Sequence, residues 1–103
     1  MPFFEIQIER YVDSAFPGFV ECAFVDAHGR EHRFVEKVPV VTLEALHEGS
    51  EYPRIGQVAC EIESSWVADD GRALSRVTTQ RPWGIESDEG VSEFELTTQV
   101  LRP

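Results

Sequence analysis

The chain has 103 residues, which reads as one domain, long enough to bury roughly two-thirds of the surface its unfolded form exposes. Hydrophobic residues make up 42%, with seven Phe and two Trp, and this excludes a disordered acidic tail. Against 19 acidic side chains stand nine basic ones, a formal net charge of −10 that disfavours nucleic acid and anionic membrane surfaces and favours a cationic partner.

The first residues, Met1-Pro2-Phe3-Phe4-Glu5, carry no basic n-region or long apolar core, so no signal peptide is expected. No apolar run reaches membrane-spanning length. The expectation is a cytoplasmic protein with no membrane partner. Cys22 and Cys60 both sit inside apolar alternation, which predicts buried free thiols.

Residues 3–12 alternate Phe4, Ile6 and Ile8 with Glu5, Gln7 and Glu9, the period of a half-buried strand. Pro17-Gly18 punctuates, and residues 19–26 form a second strand with Val20, Cys22 and Phe24 inward. His28-Gly29 supplies a turn; residues 31–38 return as a strand that Pro39 closes. In the insert 40–53, Thr42 is placed to cap one or two helical turns over Leu43–Leu46, with Gly49 as terminator. This insert is expected to plug one end of the sheet.

Residues 55–68 read as one long strand with Val58, Cys60, Ile62 and Trp66 inward, and its length predicts a bend or bulge near Ser64-Ser65. Asp69-Asp70-Gly71 is a hairpin turn, and residues 73–80 return. A loop, Arg81-Pro82-Trp83-Gly84-Ile85, runs into the acidic turn Glu86–Gly90. Residues 91–101 make a last strand with Phe94, Leu96, Thr98 and Val100 inward.

With no strand–helix–strand crossover, the pattern predicts an all-β fold. It is a small antiparallel β-barrel or two-sheet sandwich of about six strands with one short helical insert. Within the single domain 1–103, Glu21, Phe24, Val25, Gly29-Arg30 and Val35 recur 42 residues later as Glu63, Trp66, Val67, Gly71-Arg72 and Val77. Hairpins 19–39 and 57–82 thus share one design. Any two hairpins with Gly-Arg turns share part of it, and two copies are too few for a propeller, which takes about four or more blades.

The chemical motifs fail one by one. His28 and His32 would lie roughly 13 Å apart on an extended strand, so they are read as surface histidines and not as a metal pair. His47-Glu48-Gly49-Ser50-Glu51 lacks the second His of a zinc-protease helix, and Glu86–Gly90 lacks the ligand spacing of a calcium loop. There is no nucleophile elbow, phosphate loop or dinucleotide fingerprint, and no residue demands a cofactor. The best recognition element is the loop with Arg81 and Trp83 followed by Glu86, Asp88 and Glu89; the alternative is that Trp83 folds back to cap the barrel mouth.

These features point to a small acidic binding protein, of inhibitor or immunity type, for a basic protein partner. The alternatives are a hydrolase- or isomerase-like enzyme with a carboxylate–His site at the barrel mouth, and a structural subunit that oligomerises through an exposed strand. The oligomeric state is open.

Overall fold

A computed structural model describes residues 1–103. Seven strands form: β1 Phe3–Asp13, β2 Phe19–Val25, β3 Glu31–Lys37, β4 Arg54–Ala59, β5 Glu61–Val67, β6 Ala73–Thr78 and β7 Glu93–Thr97. They make two antiparallel sheets, ordered β3-β2-β1-β4 and β5-β6-β7. The fold is a two-sheet sandwich and not a closed barrel. No helix is long and apolar enough to cross a membrane.

The alternating strands deliver the inner faces. Phe4, Ile6 and Ile8 of β1, Val20 and Cys22 of β2 and Phe34 of β3 are buried, and they meet Val77 of β6 with Phe94 and Leu96 of β7. Three residues outside the regular elements complete the core, Leu46 from the insert, Cys60 between β4 and β5, and Ile85 from the loop after β6.

The segment 55–68 does not run as one strand. It breaks at Cys60, whose N–H donates to Pro2 O (2.9 Å). Before the break β4 pairs with β1, from Phe3 opposite Ala59 to Ile8 opposite Arg54. After it β5 pairs with β6 in the other sheet, and the register shift falls between Ile62 and Ser64. The segment therefore changes sheets at Cys60, which adds the seventh strand, while the irregularity expected near Ser64-Ser65 falls beside it, at Glu63.

The helical turn also lies elsewhere than expected. It is α1, Val38–Val41, with Pro39 in its first turn and Thr42 at its C-terminal end. Proline's fixed φ suits a first helical turn, and Val38 and Val41 bury themselves beneath it. Leu43 is fully exposed. At the other end of the chain, β7 stops at Thr97 and a 3-10 turn, Thr98–Val100, replaces the expected continuation.

The two hairpins named above share their turns. Asp26 N–H donates to Arg30 O and Gly29 N–H to Asp26 O; Ala68 N–H donates to Arg72 O and Gly71 N–H to Ala68 O. Gly29 and Gly71 have φ of +80° and +87°, a region that L side chains rarely adopt. The tips also touch, since Arg72 Nη1 donates to Ala27 O (2.6 Å).

Candidate interaction surface

The loop between β6 and β7 is cross-braced from within. Thr79 is buried; its hydroxyl donates to Ile85 O (2.7 Å) and its N–H to Ser92 O (2.9 Å). Ile85 N–H returns to Thr79 O (2.9 Å), and this pulls the Ile85 side chain into the core. Trp83, on the tip, is 55% exposed, so the loop's plug is Ile85 and not the indole.

The recognition residues expected on this loop separate into two groups. Arg81 donates to Glu61 (3.0 Å) at the start of β5, with Trp83 two residues on. Asp88 and Glu89 turn the other way: Asp88 N–H donates to Arg33 O (2.8 Å) on β3, and Arg30 Nη2 reaches both oxygens of Glu89 at 2.8 Å. Glu86 is exposed beside Gly90. The two groups thus sit against the edge strands of different sheets.

Strand β5 is the most exposed element. Glu61 is half-buried and every residue from Ile62 to Val67 is exposed, with Ile62 at 45%, Trp66 at 37% and Val67 at 71%. Ile62 and Trp66 were expected to face inward. The core of the sandwich covers β6 and β7 but stops short of this edge. The composition carried the signal, because the run Glu63-Ser64-Ser65 interrupts apolar alternation. Behind β5, the Ser75 hydroxyl is fully buried and bridges Ser65 Oγ and Thr98 Oγ1, both at 2.8 Å.

The backbone of β5 is half satisfied. Ala68 N–H faces β6, so in an antiparallel ladder Trp66 and Ser64 face it too, while Ser65 and Val67 turn their N–H and C=O groups to the open side. The side chains divide accordingly. Trp66, opposite Leu74, and Glu61, opposite Thr78, lie on the outer face together with Glu93 of β7. Ile62, opposite Val77, and Val67, opposite Ala73, lie on the inner-face side.

Charge around this edge is negative. A hydrogen bond with Glu93, then burial, lifts the Glu63 carboxyl above its usual range. Over the whole surface, every arginine except Arg102 lies within ion-pairing distance of a carboxylate. Glu5, Asp13, Glu36, Glu48, Glu51, Glu63, Asp69, Glu86, Asp88 and Glu93 have no cationic partner within that distance.

The histidines do not assemble a pocket. His32, expected at the surface, is 4% exposed because it shares the inward row of β3 with Phe34. Its ring lies between Phe24 and Phe94, with centroids 5.2 and 4.7 Å away. Its Nε2 donates to Asp26 Oδ2 (2.8 Å), and Nδ1 is the one buried side-chain polar atom without a partner. Burial works to raise the Asp26 carboxyl, but the His32 hydrogen bond and the N–H groups of Arg30 and His28 outweigh it and hold it below the ordinary range. His28 pairs with Glu95 (2.7 Å) on the surface, and His47 bonds only within its own loop. No histidine lines any of the five main clefts.

Both cysteines are fully buried and free. Burial, followed by Glu36, Glu21 and Glu9, raises the Cys22 thiol to about 12, and burial raises Cys60 to about 11. Neither is a nucleophile at neutral pH.

The most apolar cleft, about 290 Å³, opens where β2 leaves β1. Phe24 and Val25 pair only with β3, because the hairpin tip crosses to the other sheet, where Ala27 N–H donates to Glu95 O (2.8 Å). Phe4, Ile6, Phe24 and Leu96 line the gap, with Val25 and Ile55 exposed beside it.

No family model matches the chain, and no curated protein or solved structure does.

Proposed function

We propose that this protein is a small binding protein for a cationic protein partner, of the inhibitor or immunity type. The observation that carries the reading is the charge pairing. The positive side chains are almost all spent on internal ion pairs, while unpaired carboxylates surround the surface. Such a field speeds encounter with a basic partner and makes the association salt-sensitive. Exposed indoles at Trp66 and Trp83 supply contact anchors of the kind that dominate interface energies.

The test is affinity capture at low and high salt with the wild type and with a Trp66→Ala, Trp83→Ala double variant. The expected result is a basic protein retained at low salt, released by salt and lost by the double variant. If no basic protein is retained at low salt, the reading is wrong.

A further inference from the structure

The open side of β5 has three properties at once. Ser65 and Val67 direct unpaired backbone groups outward, Ile62, Trp66 and Val67 expose apolar surface, and carboxylates without a cationic partner flank it, Glu63 toward one end and Asp69 beyond the other. Natural edge strands are usually blunted by Lys, Pro or a covering segment. From Glu61 to Val67 this one has neither Lys nor Pro, and no backbone hydrogen bond from outside the β6 ladder reaches it. Its only irregularity is the register shift at Glu63.

We infer that the edge of β5 is a strand-addition site for an extended segment of the cationic partner that alternates basic and β-branched side chains. The inference rests on the proposed function and specifies how the partner docks. An added strand takes its backbone hydrogen bonds from Ser65 and Val67, and alternate side chains read the two faces. On the outer face Glu63 and Glu93, which lie together and have no cationic partner of their own, and the Trp66 ring favour Lys or Arg, through ion pairing and cation–π contact, while Glu61 is already held by Arg81. On the other side Ile62 and Val67 favour β-branched residues. Charge argues against a second copy as the occupant, because pairing two β5 edges would bring Glu61, Glu63 and Asp69 of each chain into one ladder.

The test uses a short capped peptide alternating lysine and valine, and the same peptide N-methylated at alternate backbone amides. Trp66 fluorescence in a Trp83→Phe background reports binding. The expected result is saturable binding that weakens about tenfold or more on N-methylation, because strand hydrogen bonds are lost at constant charge. Val67→Pro, which removes an outward N–H without touching the β6 ladder, should weaken the unmodified peptide similarly. Equal binding of both peptides, unaffected by Val67→Pro, would overturn strand addition while leaving cationic capture standing. Binding of neither peptide overturns it as well, and the capture experiment above then judges the broader reading separately. A wild-type dimer in light scattering that Val67→Pro dissociates would assign the edge to a second copy and overturn it too.

Discussion

Gly56 leaves room for Ile8. A Cβ on Gly56 would stand 2.8 Å from Ile8 Cδ1 and 2.9 Å from Val41 O, closer than real side chains approach. Strand β4 therefore lies tight under both β1 and α1, and the absent side chain permits it. Gly56→Ala should cost about 1–3 kcal/mol, the usual penalty for overpacking a filled core. Adding Ile8→Val, which removes Cδ1, should recover only part of the loss, since the Val41 carbonyl is backbone and cannot withdraw. Urea unfolding of the two variants measures this.

The Asp26–His32 pair couples the β2–β3 turn to the core. Asp26→Asn should destabilise by about 2–4 kcal/mol, because it weakens a buried hydrogen-bonded pair and leaves His32 poorly matched. The Asp26 carboxyl is held below its ordinary 3.8, so its contribution is present above that pH and lost as pH falls through the folded value. Wild-type stability should therefore drop below about pH 4 more steeply than that of the Asn variant. Chemical denaturation across this range compares the slopes.

The loop after β6 separates stability from exposure. Ile85→Ala should cost about 2–4 kcal/mol, since the side chain is fully packed in the core. Trp83→Ala should change stability by no more than about 0.5 kcal/mol, because its indole stands largely in solvent. Thermal melts of both variants test the contrast. A large loss for Trp83→Ala would mean that the indole is packed against the loop in solution.

The thiols should be silent while the fold persists. With Cys22 raised to about 12 and Cys60 to about 11, the native protein should react with a disulfide reagent at pH 8 about a hundredfold or more slowly than a free thiol. Both groups should react rapidly in denaturant. Fast native labelling of either cysteine would show that the segment around it opens readily.

Much of the fold was legible in the chain. Alternation over Phe4–Ile8, Val20–Phe24 and Phe94–Leu96 marks inward rows, because side-chain direction in a strand follows a local period of two. The same rule applied to His32 and Phe34 would have placed the imidazole inside. The exposure of β5 was only hinted at by Ser64-Ser65. The separation of Arg81 and Trp83 from Asp88 and Glu89 left no trace, because it depends on which strands the loop meets.

The sequence by itself determined the strands of the all-β architecture and the two glycine turns, since alternation and a positive φ are properties of a few neighbouring residues. Only the tertiary structure decided that the chain changes sheets at Cys60, that the helical turn forms at Val38–Val41 and not after Thr42, and that β5 is left uncovered. In each case the deciding partner is remote: Pro2 and the N-terminal half of β1 hold β4, Ile8 and Gly56 receive the turn, and the inner face of β5 lacks an opposing layer. A local pattern states that a side chain prefers burial; long-range pairing settles whether anything arrives to bury it.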